Sequence, residues 1–232
     1  MRSEIKYAFV RTVPVLLGYL FLGIAFGLLL EKAGYHAVWA FFISLFVYAG
    51  SMQFVLVNFL SGGTGLITAA VMTLLINSRH AFYGLSFIEK FKKMGKLRPY
   101  MIFSLTDETY SLLCAERAPK DLDENKVMFW IAVLNHSYWI LGSVLGSVLG
   151  QLITFNTSGI DFAMTALFVV IFIEQWYTYA SHVPVYVGAA SGIASLLWFG
   201  PDNFILPALL LTVTVLMLLR PKLDGRKGEE AH

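Results

Sequence analysis

From residue 33 to residue 78 the chain carries no Asp, Glu, Lys or Arg, and this run ends in Ile76-Asn77-Ser78-Arg79-His80 with apolar sequence on both sides. Upstream lies GLITAAVMTLLIN and downstream AFYGLSFI; the first obvious loop begins only at Glu89. At helical rise, 66–88 covers roughly 35 Å, about one hydrocarbon core with some interface. Arg79 then falls in the second half of a membrane span, where an unpaired charge costs roughly 3 kcal/mol or more. It is expected to have a partner and a task.

Further uncharged runs at 12–30, 127–160, 175–201 and 203–219 are too many and too long for soluble core helices. Only 14% of the 232 residues are charged, against about 25% in an ordinary soluble domain. The chain reads as an all-α polytopic membrane protein, one domain over 1–232 with seven or eight helices, some of them broken or re-entrant. They are placed at about 12–30, 36–58, 66–88, 99–115, 127–150, 161–181, 185–200 and 203–219. The basic N-terminus leads into a full-length apolar run without a cleavage pattern, which indicates a first transmembrane helix. The single Cys114 excludes a disulfide framework and a cysteine metal cluster.

Several polar groups interrupt the apolar helices. In 36–58 the patch Tyr48-Ala49-Gly50-Ser51-Met52-Gln53 reads either as helix packing with the Ser51 hydroxyl bonded to its own backbone, or as a broken helix lining a cavity. In 66–88, Asn77 and His80 share a face while Arg79 points about 100° from His80. In 99–115, Thr106-Asp107-Glu108 lies among apolar residues spread around the whole helix, so the acids are read as intramembrane, in preference to facing water from an amphipathic surface helix. Glu116 to Lys126 is read as an exposed loop. In 127–150, Asn135-His136 precedes a ridge of Gly142, Gly146 and Gly150, a packing signal that Gly23 and Gly27 also carry. Asp161 and Glu174 are read as an interfacial helix start and part of an interfacial belt.

The loop EKFKKMGKLRP has five basic residues and one acidic, so it should be cytoplasmic, like the N-terminus (Arg2, Lys6, Arg11) and the C-terminal tail. Three helices between the first two of these conflict with that. Either a segment of 33–78 is broken or re-entrant, at Gly50 or at the glycines of 62–65, or the N-terminal signal misleads. Gly23-x-x-x-Gly27 with Gly34, echoed in Gly146-x-x-x-Gly150 with Gly159, hints at a two-half internal repeat.

YAGSMQF at 48–54, INSRHAFYG at 76–84, TDET at 106–109 and GIDFAMTALF at 159–168 occur in this order and together resemble the AzlC family of branched-chain amino acid permeases, as its large subunit. Met52 stands where a small residue is expected and would narrow a cavity. The resemblance implies an exporter of leucine, isoleucine and valine, in some members also methionine, in the cytoplasmic membrane of a prokaryote. It also implies a small, separately encoded AzlD-type membrane partner. No cofactor, metal or nucleic acid is implied, and homo-oligomerisation is left open.

The chemistry of the residues is compatible with this. An apolar amino acid needs a cation or helix N-terminal amides for its carboxylate, an anion or carbonyls for its ammonium, and an apolar wall. Arg79 is expected to hold the carboxylate, or to pair with Asp107 or Glu108 in the empty state. One of the two acids would carry a coupling proton, giving proton antiport. Asn77, His80, Gln53, Asn135 and His136 are candidate hydrogen-bonding residues, with Tyr48, Gly50, Ser51 and Thr106 around them. Four rival readings stand beside this one: a purely structural Arg79–Asp107 pair, a channel, a structural subunit, and a membrane enzyme with a dinuclear metal at His80, Asp107 and Glu108. The last lacks any H-E-x-x-H, G-x-S-x-G or phosphate-loop motif.

Overall fold

The computed structural model describes residues 2–119, 121–152, 182–200 and 204–229, with isolated positions between 169 and 177. Every regular element among them is helical: α1 (Arg2–Lys32), α2 (Ala37–Phe46), α3 (Gly50–Gly62), α4 (Leu66–Lys92), α5 (Arg98–Phe103), α6 (Asp107–Ala115), α7 (Glu124–Leu152), α8 (Val183–Phe199) and α9 (Ile205–Glu229). The helix expected over 161–181, with Asp161 and Glu174, lies outside the described residues. The chain groups into two compact units: residues 1–64 with 76–167, and residues 65–75 with 168–232. In the second, α8 and α9 pack against each other.

The first unit is built on α1 and α7, each long and apolar enough to cross a membrane. They run parallel and close, because glycines face each other. A Cβ on Gly23 would lie 2.9 Å from Ser143 N, and one on Gly142 would lie 2.8 Å from Tyr19 O. At Gly27 and Gly146 it would collide with the backbone of Ser143 and Ile24 respectively. Apolar lipid gives no hydrophobic drive for helix association, so small residues that let backbones touch supply the packing. The two glycine series that resemble an internal echo in the sequence are thus the two sides of one contact. The outer face of α1 carries Leu17 and Phe21, 67% and 74% exposed, as expected against lipid.

Two of the expected helices are not single rods. The one expected over 36–58 is α2 and α3, broken at 47–49, where Tyr48 has φ 40°. The one expected over 99–115 is α5 and α6, broken at 104–106. Each pair enters and returns on the same side. For the first, His36 at the start of α2 meets Glu31 at the end of α1 (2.6 Å). Ser44 then meets His136, halfway down α7, and α3 climbs back so that Phe54 packs on Phe26. For the second, Tyr100 of α5 reaches His136, Thr106 meets Tyr19, and α6 descends until Glu116 meets Tyr7 and Arg11 near the N-terminus.

Two re-entrant hairpins thus approach from opposite ends, and their tips meet beside the middle of α1 and α7. Ala8 of α1 shares one core cluster with Phe87, Phe91 and Met94 near the N-terminus. A second expectation is corrected there: Glu116, read as part of an exposed loop, is 2% exposed. Its carboxylate accepts from Tyr7 Oη (2.9 Å) and Arg11 Nε (3.1 Å), which offsets its desolvation.

Candidate functional site

Where the tips meet, α4 delivers Arg79. Its Nη1 lies 2.8 Å from Asp107 Oδ2 and its Nη2 donates to Ser51 Oγ at 3.0 Å, so one guanidinium bridges the first turn of α3 and the first turn of α6. Both helices begin here. The first backbone amides of α3 have no intrahelical acceptor and add positive potential beside Arg79. A Cβ on Gly50 would find only Trp139 Cη2 within 4 Å, at 3.9 Å, so this helix start is uncrowded. In α6, Thr106 is the N-cap, its hydroxyl accepting from Thr109 N, and Asp107 and Glu108 fill the first turn.

Glu108 is half-buried and accepts from Tyr19 Oη at 2.7 Å. Tyr19 also lies 2.7 Å from Thr106 Oγ1, Thr106 3.0 Å from Thr109 Oγ1, and Asn135 Nδ2 donates to Thr109 at 3.1 Å. Several buried polar atoms around the tips make no hydrogen bond to a described residue: Arg79 Nε, Asp107 Oδ1, Asn135 Oδ1, Tyr48 Oη and Ser104 Oγ. Buried polar atoms rarely remain so, because each forfeits about 1–3 kcal/mol of solvation. All five belong to residues in or beside the two tips or to the helices packed on them.

Other candidates serve differently. Gln53 is fully buried; its Oε1 accepts from Ala49 N (3.1 Å) and Trp139 Nε1 (2.9 Å), while Nε2 donates to Ser44 Oγ (3.4 Å). It fastens the first tip to α7. His136 uses both ring nitrogens. Nε2 faces the Ser44 carbonyl (3.2 Å) and must donate, leaving Nδ1 to accept from Tyr100 Oη (3.2 Å). Tyr48 stacks on its ring, and Met52, in the first turn of α3, is buried. His80 is half-buried, edge-on to Tyr83 at 5.9 Å. Asn77 is half-buried, with no side-chain hydrogen bond among the described residues. Among those residues no three His, Cys, Asp or Glu come together as metal ligands, so His80, Asp107 and Glu108 form no such cluster.

Sequence reasoning missed Tyr19, Ser104, Thr109 and Trp139. Tyr19 and Trp139 give no local signal in apolar helices. The break at 104–106 does have one, since Thr followed by two acids is a helix-start signature.

The sequence profile described as AzlC protein matches residues 14–153, more than half of the chain. The chain belongs to the AzlC family. The matched stretch holds both hairpins, α4, all of α7 and α1 from residue 14 on, so Tyr19, Arg79, Asp107 and Glu108 all lie in the family region. The chain is similar to the branched-chain amino acid transport protein AzlC of Bacillus subtilis, 42% identical over 96% of this chain and 89% of that one. An uncharacterized membrane protein of Helicobacter pylori is 42% identical over 94% and 96%, and one of Haemophilus influenzae 36% over 95% and 91%. No solved structure gives a significant match. Like these relatives, this AzlC family member is a multi-pass helical protein of the cell membrane.

Proposed function

We propose that the chain is the large subunit of a secondary transporter that exports branched-chain amino acids by proton antiport, together with a small AzlD-type membrane partner. Transport of branched-chain amino acids is supported by the similarity to the Bacillus protein of that name over almost the full length of both chains. The family is one of transport proteins, so the site is asked to bind and release, not to break bonds.

The observation that carries the binding site is the Arg79–Asp107 pair at the meeting of two helix starts, among polar atoms without protein partners. Arg79 Nε and Nη2 present two parallel donors to a carboxylate, with the α3 amides behind them. Asp107 Oδ1 faces the ammonium. Tyr48 and Phe103, whose rings lie 6.2 Å apart, offer apolar surface to the aliphatic side chain. Opposed re-entrant tips suit alternating access, because each can open toward its own side.

Efflux of leucine, isoleucine, valine and methionine from dipeptide-loaded cells tests this, with and without an AzlD-type partner. Saturable efflux that needs Arg79, Asp107 and the partner is expected. Non-saturable flux would mean a channel, and undiminished efflux in Arg79→Ala would reduce the charged pair to a structural role.

A further inference from the structure

The two acids of the second tip stand in different company. Asp107 has Arg79 at 2.8 Å. Glu108, the next residue, has no cation within ion-pair distance among the described residues and is met by the neutral hydroxyl of Tyr19. We propose that Glu108 is the proton-carrying group of the transport cycle, and that Tyr19, Thr106 and Thr109 form a hydroxyl chain whose contacts are all filled only when Glu108 holds its proton. This rests on the transport reading above.

Tyr19, Thr106 and Thr109 each own one hydroxyl hydrogen, and three oxygen–oxygen contacts join them to Glu108, at 2.7, 2.7 and 3.0 Å. With Glu108 ionised, Tyr19 donates to the carboxylate and Thr106 has one hydrogen for two contacts, to Tyr19 and to Thr109, because only Thr106 is placed to donate across the Thr106–Thr109 contact. With Glu108 protonated, its O–H donates to Tyr19, Tyr19 to Thr106 and Thr106 to Thr109. The protonated state therefore fills all three contacts and the ionised state only two, while Asn135 Nδ2 donates to Thr109 in either. Losing the proton at Glu108 therefore weakens the tie between Tyr19 of α1 and the second tip.

The charges supply the coupling. The groups facing Glu108 are Tyr19 from α1, Tyr48 from the first tip, Arg79 from α4 and Asp107 on its own helix. From α7 comes the neutral Asn135, while His136 is turned to Ser44 and Tyr100. Arg79, Asp107 and Glu108 together carry one excess negative charge. A proton on Glu108 and the ammonium of an amino acid compete for that excess, and such competition is reciprocal. It is the thermodynamic condition for exchanging one against the other. Each cycle then moves one proton inward and one net-neutral amino acid outward, with Glu108 loading on one side and unloading on the other.

The test uses the full-length chain with its partner in liposomes, reading labelled leucine counterflow at equal pH and net efflux driven by a pH gradient. The wild type should show both. In Glu108→Gln, which carries no titratable proton, the gradient should no longer accelerate efflux and leucine binding to purified protein should no longer release a proton. Tyr19→Phe keeps the ring but cuts the chain, and should shift the pH midpoint of driven efflux by about one unit. Gradient-driven efflux in Glu108→Gln equal to wild type overturns the assignment and leaves the transport reading standing. Should Glu108→Gln fail to fold, an unshifted midpoint in Tyr19→Phe overturns it instead. A wild type without leucine counterflow ends both.

Discussion

The ring of Tyr48 lies 4.2 Å from that of His136, with 27° between their planes, and it holds this place on a backbone of φ 40°. A bulky residue in that conformation gives up about 1–2 kcal/mol. The stack, with His136 fixed by Ser44 and Tyr100, offsets that cost and sets the tip of the first hairpin. Tyr48→Phe should keep thermal stability within about 0.5 kcal/mol, since the lost hydroxyl has no hydrogen bond to a described residue. Tyr48→Gly relieves the backbone but deletes the stack; transport should fall at least about tenfold, a barrier of about 1.4 kcal/mol. Thermal melts and leucine efflux separate the two effects.

Arg79 uses two nitrogens on two different helices. A lysine offers one compact charge and cannot reproduce that fork. Arg79→Lys should therefore retain membrane insertion but lose most leucine efflux. A double-mutant cycle with Asp107→Asn should give a coupling of about 0.5–3 kcal/mol in stability. A coupling indistinguishable from zero would contradict the pair.

Gly27 and Gly18 lie on the same helix with opposite surroundings. A Cβ at Gly27 meets the backbone of Ser143, Gly146 and Ser147, whereas one at Gly18 meets nothing within 4 Å. Gly27→Val should destabilise by at least about 1–3 kcal/mol and yield protein that aggregates in detergent. Gly18→Ala should be neutral or stabilising by up to about 1 kcal/mol. Size-exclusion profiles and melting curves read both.

Gln53 satisfies three buried groups at once. Gln53→Leu keeps the volume but strands Trp139 Nε1 and Ala49 N, so a loss of about 2–6 kcal/mol is expected at about 1–3 kcal/mol per orphaned group. A melting temperature unchanged from wild type would contradict its role as the fastener of the tip.

Asp123 precedes α7, and its Oδ1 accepts from the amides of Asn125 (3.0 Å) and Lys126 (3.3 Å). The Lys126 side chain, and then these amides, hold its carboxyl below the ordinary value of 3.8. A depressed folded-state value contributes stability that is present above pH 3.8 and lost as the pH falls through the folded value. Asp123→Ala should thus lower stability by about 1 kcal/mol at pH 7, with the gap to wild type closing in melts only as the pH is taken below 3.8.

Arg79 was legible in the sequence, because a charge in an apolar run must find a partner, and an acid near the centre of a later apolar segment was available. Which acid it takes was not legible. Asp107 and Glu108 are adjacent, and only the direction of the first turn of α6 sends one to Arg79 and the other to Tyr19. The polar patch at 48–53 announced the first break as one of two readings. The second break passed unseen because its apolar residues surround the helix, although Thr106-Asp107-Glu108 is a helix start. Gln53 and His136 carry polarity that in sequence looks available for a ligand, yet partners as far as 86 and 92 residues away engage both.

The amino-acid sequence by itself determined that this chain lives in a membrane, that its helices pack through small residues, and that Arg79 with an acid lies inside. These follow from local quantities: the length of apolar runs, the spacing of glycines and the cost of a charge in hydrocarbon. The tertiary structure decided that Gly23 and Gly27 face Gly142 and Gly146, that two helices are re-entrant hairpins, and that their tips meet at Arg79. Pairings across more than a hundred residues depend on which surfaces fit, and no local pattern encodes that.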